Sequence, residues 1–217
     1  MTATLGLATD AAADPGALSQ AFVGIVGSAY GDWLGGSAGN DLLDGQSGDD
    51  ILAGGAGADM LAGGTGSDWA DYGHASGGIT VDLATSSGTR GDASGDRLNS
   101  IENVAGSAFD DHIFGDHHDN ILVGAAGNDV LRLGAGNDTL MFAFGDGIDT
   151  ILDFGGDGMD IIALAGFVDI HSFAQLVDQQ RLVTVDGFAS IILGESDRIV
   201  LANVADHAMP TASHFKF

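Results

Sequence analysis

Along much of this chain an apolar residue returns every nine positions, and a carboxylate stands two residues before it. The period runs without a gap from Gly27 to Asp71 as five copies, GSAYGDWLG, GSAGNDLLD, GQSGDDILA, GGAGADMLA and GGTGSDWAD. Glycine opens each copy. Aspartate is sixth (Asp32, Asp41, Asp50, Asp59, Asp68), and an apolar residue is eighth (Leu34, Leu43, Leu52, Leu61, Ala70). The last three residues of a copy predict a short strand. Side chains alternate faces in a strand, so the eighth residue points inward while the seventh and ninth point out. The six residues before it predict a tight turn, because glycine accepts positive φ and lets backbone carbonyls point inward together.

A second array opens at Gly106 with GSAFDDHIF and continues from Gly115, Gly124 and Leu133, with Asp111, Asn120, Asp129 and Asp138 in sixth place. Beyond it the spacing stretches: Asp149 and Asp160 each lie eleven residues past the preceding aspartate. Asn120 replaces an aspartate, Leu133 replaces an opening glycine, and Tyr30 and His118 stand where glycine is usual in fourth place. The expected organisation is an N-terminal segment (1–26), a first array (27–71), spacer strands (72–105), a second array (106–160) and a C-terminal cap (161–217). In the spacer, Gly78–Leu83 and Asp96–Val104 predict strands. In the cap, Ile161–Phe167 predicts a strand, Ser172 caps a short helix to Gln180, Leu182–Val185 and Ser190–Leu193 form a hairpin about Gly187, and Arg198–Leu201 forms a last strand.

Charge changes the picture. Asp and Glu number 31 against 6 Lys and Arg, a formal charge of −25. That argues against nucleic acid as a partner, and it opposes compaction unless cations neutralise it. An acidic disordered chain would be poor in apolar residues, yet 45% of this one is hydrophobic. Glycine occurs 36 times and proline twice, which excludes collagen and proline-rich linkers. The chain has no cysteine, so disulfides and thiolate metal sites are ruled out. No apolar run is long enough for a transmembrane helix, and the start, Met1–Leu5, lacks the basic-then-apolar pattern of a cleavable signal.

These repeats resemble the repeats-in-toxin (RTX) family, whose nonapeptide is a known calcium-binding motif, and the resemblance covers roughly Gly27 to Phe217. It implies an all-β, right-handed parallel β-roll (a β-solenoid) in two stacked or adjacent arrays, with a small, mainly β C-terminal cap holding one short helix. Two nonapeptides make one coil. Coils stack about 4.8 Å apart, so each turn lies over the turn two repeats later. Sixth-position carboxylates then pair around shared ions: Asp32 with Asp50, Asp41 with Asp59, Asp50 with Asp68, Asp111 with Asp129, Asp129 with Asp149, and more weakly Asn120 with Asp138. The resemblance further implies carbonyl ligands from second and fourth positions of one loop (Ser28, Tyr30, Ser37, Gly39, Gln46, Gly48). First and third positions of the other supply the rest (Gly45, Ser47, Gly54, Ala56, Gly63, Thr65, Gly124, Ala126). Ca²⁺ suits an all-oxygen cage of irregular geometry, and roughly five to eight ions are expected.

The chain offers no H-E-x-x-H, no G-x-S-x-G, no cysteine nucleophile and no phosphate loop. No catalytic domain fits in the 26 residues before the first repeat, so a non-enzymatic role is expected. First choice is a secreted bacterial Ca²⁺-binding protein of a surface layer, matrix or assembly. The alternative is the calcium-dependent folding and export module of a larger enzyme, toxin or adhesin. The tail Ser213–Phe217 resembles the uncleaved signal that type I secretion machinery reads. Trp33, Ile51 and Trp69, all seventh, should form an outward stripe on one sheet. Either residues Ala17 to Val26 or the second array cover it, or it self-associates. His112, His117 and His118, near Asp110, Asp111 and Asp119, invite a transition-metal reading. Their positions fall on different sides of a coil, so exposed loop histidines are the plainer expectation.

Overall fold

The computed structural model describes residues 4–7, 23–156, 158–185, 187–203 and 209–217. In chain order the strands are β1 (Thr4–Leu7), β2 (Val23–Val26), β3 (Trp33–Gly35), β4 (Leu42–Asp44), β5 (Ile51–Ala53), β6 (Met60–Ala62) and β7 (Trp69–Asp71). In the middle lie β8 (Thr80–Asp82), β9 (Ser87–Arg90), β10 (Arg97–Asn99), β11 (Asn103–Ala105), β12 (His112–Phe114), β13 (Ile121–Val123) and β14 (Val130–Arg132). Then come β15 (Thr139–Ala143), β16 (Ile148–Ile151), β17 (Ile161–Ala165), helix α1 (Phe173–Asp178), β18 (Leu182–Val185), β19 (Phe188–Ile192), β20 (Arg198–Leu201) and β21 (Phe215–Lys216).

Each nonapeptide yields one short strand, three residues long except for the five-residue β15, and successive strands alternate between two sheets. One sheet has thirteen strands in the order β1-β2-β4-β6-β10-β9-β8-β12-β14-β16-β20-β19-β18, the other eight in the order β21-β17-β15-β13-β11-β7-β5-β3. Repeat strands pair in parallel with the strand one coil away, which makes the molecule a parallel β-roll. In β3 to β6 the order of exposure is exposed, buried, intermediate, as alternation demands. The eighth residues therefore stack in register. Leu34, Leu52, Ala70, Val104, Leu122, Leu140, Ile162 and Phe215 line one inner face. Leu43, Leu61 and Leu98, then Val81, Ile113, Leu131, Ile151 and Leu201, line the other. Each fully buried Leu or Ile in these rows contributes about 1.5–3 kcal/mol.

The two arrays form one stack. In the eight-stranded sheet β11, from the spacer, pairs with β7 on one side and β13 on the other, so no break separates the copies before and after it. The thirteen-stranded sheet bridges the same interval with β10, β9 and β8. Here β9 runs antiparallel to both neighbours and meets β10 at one pair, Arg97 with Ser87. The roll also begins before Gly27: β2 pairs in parallel with β4, placing Ile25 beside Leu43. Residues 18–26 keep the nine-residue phase, with Val23 in the place of the aspartate. In the cap, the Ser172 hydroxyl accepts the Gln175 N–H to start α1, β18 to β20 form an antiparallel meander, and β21 docks alongside β17.

Trp33, Ile51 and Trp69 stand in register on β3, β5 and β7, facing outward. Trp33 is 67% and Ile51 39% exposed, while Trp69 is half-buried. Residues 17–22, offered above as cover, lie outside the described residues. The rest of that segment, Val23–Val26, belongs to the opposite sheet and does not cover the stripe. Tyr72, His74, Ala75 and Asp92 flank the Trp33 end of it.

Candidate metal centres

The six-residue turns stack along two edges of the roll. Turns 27–32, 45–50, 63–68, 115–120 and 133–138 enter the eight-stranded sheet along one edge; 36–41, 54–59, 106–111 and 124–129 enter the other sheet along the opposite edge. A ladder of hydrogen bonds ties each sixth residue to the carboxylate one coil later. The Asp32 N–H donates to Asp50 Oδ1 at 2.8 Å, Asp41 to Asp59 at 2.8 Å and Asp50 to Asp68 at 2.8 Å. The second half repeats it: Asp111 to Asp129 at 2.8 Å, Asn120 to Asp138 at 2.8 Å, Asp129 to Asp149 at 3.1 Å and Asp138 to Asp160 at 3.2 Å. All six pairs anticipated from the spacing are thus neighbours.

Four carboxylates beyond the anticipated pairs carry the ladder, three of them, Asp96, Glu102 and Asp197, where the spacing gave no sign. The Asp59 N–H reaches Asp96 Oδ1 at 2.8 Å and the Asp68 N–H reaches Glu102 Oε2 at 3.0 Å, so the spacer continues both rows. Asp160 ends one row, its Oδ2 accepting the Gly155 N–H at 2.6 Å. Asp197 accepts the N–H groups of Gly145 and Gly147 at the C-terminal end of the other. Asp96 is closed off by the Tyr72 hydroxyl, which donates to its Oδ2 at 2.8 Å.

The opening glycine serves closeness, not positive φ. None of Gly27, Gly36, Gly45, Gly54 or Gly63 has positive φ. A Cβ on Gly27 would lie 2.7 Å from the Gly45 carbonyl oxygen and 2.9 Å from Asp32 Oδ2; on Gly106 it would lie 2.6 Å from the Gly124 oxygen. Positive φ falls instead on second and fourth positions: Gln46 and Gly48, Gly55 and Gly57, Gly64 and Gly66, Ala125 and Gly127, Gly134 and Gly136. These residues approach the carbonyls of the loop one coil earlier. Gly55 and Gly57 face the oxygens of Ser37 and Gly39, and Gly64 and Gly66 those of Gln46 and Gly48. The carbonyls of Gly45, Gly54, Gly63 and Gly124 turn back toward the preceding loop. Ala56 N–H donates to the Ser37 oxygen, and Ser47 bridges Thr65. Ala126 lies between the two positive-φ residues of its turn.

Turns that begin a row differ from those that follow. In 27–32, 36–41 and 106–111 the second residue is serine, and its hydroxyl donates to the turn's own aspartate: Ser28 to Asp32 at 2.8 Å, Ser37 to Asp41 at 2.9 Å, Ser107 to Asp111 at 2.8 Å. Backbone and hydroxyl bonds from Ser28 hold the Asp32 carboxyl below its ordinary value. Tyr30, 79% exposed, offers its carbonyl to the Ser28 hydroxyl.

Following turns leave an oxygen over. Among the described residues, Oδ2 of Asp50, Asp59, Asp68, Asp129 and Asp138 is buried without a hydrogen-bond partner. Each is the later carboxylate of one stacked pair of full-length turns. Burial, reinforced by neighbouring carboxylates, raises the pKa of Asp59 and Asp138 to about 6, Asp129 to about 7 and Asp149 to about 8, and lifts Asp50 and Asp68 as well. A buried, unpaired carboxylate is costly unless a cation balances it. Carboxylate and carbonyl oxygens converge here with no nitrogen or sulfur donor, which fits Ca²⁺; Mg²⁺ demands stricter octahedral geometry and keeps its waters.

The histidines divide. His112 lies on β12, exposed, while His117 and His118 gather with Asp116 in the turn 115–120.

A family model of the RTX calcium-binding nonapeptide repeat matches four times, over residues 26–61, 35–70, 98–131 and 118–151. The chain therefore carries RTX calcium-binding repeats on a β-roll. The extracellular lipase LipA from Serratia marcescens is similar in structure over 91% of this chain and 40% of its own, at 20% sequence identity and a TM-score of 0.40. The chain thus spans less than half the length of that lipase. No curated protein sequence matches it.

Proposed function

We propose that this calcium-binding roll of RTX repeats is an exported protein that stays unfolded where calcium is scarce. Outside the cell it folds on binding several Ca²⁺ ions and serves a structural role in a surface layer, matrix or assembly. The observation that carries the proposal is the row of five buried, partnerless Oδ2 atoms, one for each stacked pair of full-length turns within the two arrays. Asp50, Asp59, Asp68, Asp129 and Asp138 are the principal ligands, with Asp149 offering a further place. Asp32, Asp41 and Asp111 complete the first turns of each row, and the inward carbonyls supply the remaining oxygens. Bound Ca²⁺ supplies the positive charge that the sequence lacks. A site held at ten times its Kd adds about 1.4 kcal/mol, so five such sites add about 7 kcal/mol, comparable to the net stability of a whole domain.

Circular dichroism tests the switch. In chelator the β signal is expected to be weak, and it should appear on adding millimolar Ca²⁺; the same β spectrum in both conditions refutes the proposal. Recovery of the chain from culture medium, with its mass, tests export. The tail Ser213–Phe217 is the segment assigned to type I secretion machinery, and Phe215 is packed beside Phe173 in the folded roll. Self-association runs through the Trp33, Ile51 and Trp69 stripe. Trp33→Thr with Trp69→Thr should shift sedimentation toward monomer, and an unchanged profile removes the stripe from the proposal.

A further inference from the structure

Turn 115–120 keeps the backbone of its neighbours but not their side-chain chemistry. The Asp116 carbonyl still accepts the Ala135 N–H at 2.9 Å, and a Cβ on Gly136 would lie 2.6 Å from the His118 oxygen, so the main chain still faces the next coil. The two histidine side chains turn outward. We propose that Asp116, His117 and His118 form a site for a borderline transition-metal ion of the Zn²⁺ class, distinct from the oxygen-lined calcium turns.

One ligand atom from each of the three residues lies within 4.8 Å of the others. Asp116 Oδ2 is 2.7 Å from His118 Nδ1 and 3.8 Å from His117 Nδ1. With metal–ligand bonds of about 2.0–2.2 Å, tetrahedral ligands stand about 3.3–3.6 Å apart, so the first distance opens by about 0.6–0.9 Å and the second closes by about 0.2–0.5 Å. The carboxylate is the fixed end. Its side chain is 14% exposed, and its other oxygen accepts the His118 backbone N–H at 2.8 Å. The imidazoles, 78% and 61% exposed, are free to adjust. Such outer hydrogen bonding orients a ligating carboxylate before the ion arrives.

The position in the fold explains why the turn is free to hold them. The neighbouring connection between β10 and β11 is only three residues, Ser100–Glu102, so the row of six-residue turns is interrupted there. The interruption leaves a cleft of about 460 Å³ lined by Asp116, His117 and His118 together with Leu98, Ser100 and Glu102. It has room for water as a fourth ligand. Glu102 and Asp119 add negative potential at His118. Imidazole nitrogen selects zinc-like ions over Ca²⁺, which takes six to eight oxygens.

Calorimetric titration of the full chain with Zn²⁺, in millimolar Ca²⁺ so that the calcium turns are filled, tests the site. One Zn²⁺ per chain is expected, and His117→Ala with His118→Ala should weaken binding roughly a hundredfold. His112→Ala should leave it unchanged. Both substituted rings are exposed, so the calcium-dependent circular dichroism of the double variant should match the parent's. Should the double variant misfold, Co²⁺ bound to the parent chain gives a second readout, its visible absorption showing tetrahedral nitrogen and oxygen ligation. No zinc binding by the parent, unchanged stoichiometry in the folded double variant, displacement of zinc by added Ca²⁺, or an octahedral Co²⁺ spectrum each overturns the proposal.

Discussion

At Asp129 one carboxylate meets opposite demands. Burial raises its pKa from 3.8 to about 7, and Asp149 above it reaches about 8. A folded-state pKa above the unfolded value means that, without metal, the contribution to stability is fully present below about pH 3.8 and is lost as pH rises through about 7 to 8. Calcium reverses the sign, since the ion holds the charged form and protons compete with it. In chelator the residual β signal in circular dichroism should therefore be larger at pH 5 than at pH 8, while melting temperatures in Ca²⁺ should be higher at pH 8 than at pH 5. Parallel trends in the two series would disprove charge-balanced turns. Asp129→Asn should likewise strengthen the residual β signal in chelator at pH 8 and lower the melting temperature in Ca²⁺. The sixth-position aspartates were legible in the sequence because they obey its period. Asp96 and Glu102 were not, for they follow Asp59 and Asp68 by 37 and 34 residues, where the backbone leaves the nine-residue phase. Tyr72, the hydroxyl partner of Asp96, carried no signal either. A phenol at the end of an array becomes a cap only once the chain has folded it back.

Turns and strands are the next scale. The glycine-rich turns were read as serving positive φ, but the opening glycines serve close approach, and in the nonapeptide turns only second and fourth positions are left-handed. Gly57 combines both constraints, with φ of 139° and the Gly39 backbone crowding any Cβ. Gly77 has neither, with nothing within 4 Å of an added Cβ. Gly57→Ala should cost about 1–3 kcal/mol and raise the calcium needed for folding, while Gly77→Ala stays within about 0.5 kcal/mol. Equal effects in calcium titrations would contradict the stacking of turns. The three-residue strands, the Ser172 cap and the hairpin about Gly187 were readable from local pattern. β2 was hidden because Val23 stands in place of the aspartate that marks every other copy of the first array, though its N–H still donates to Asp41 Oδ1 at 2.6 Å. The antiparallel course of β9 depends on contacts with β8 and β10 that local pattern does not encode.

For the molecule as a whole, the spacing gave two stacked or adjacent arrays, and the sheets join them through residues 72–105 without a break. Both tryptophans lie in the first half, Trp33 on β3 and Trp69 on β7. Their fluorescence reports that half, while far-ultraviolet circular dichroism reports all of it. In a calcium titration the two signals should coincide at one midpoint; separate midpoints would mean two independent folding units. The fold class and the pairing of carboxylates were legible because a short period repeats both, while the continuity of the stack rests on β11, which bridges two parts of the sequence that share no phase. The offset of eighteen residues between linked turns also has a mechanical meaning. Tension applied to the chain ends meets the coils one after another, and each that yields frees about 60 Å of chain together with the ions bridging it to its neighbour. Resistance is then divided into equal instalments, and a partly stretched roll can rewind from the coil that still stands.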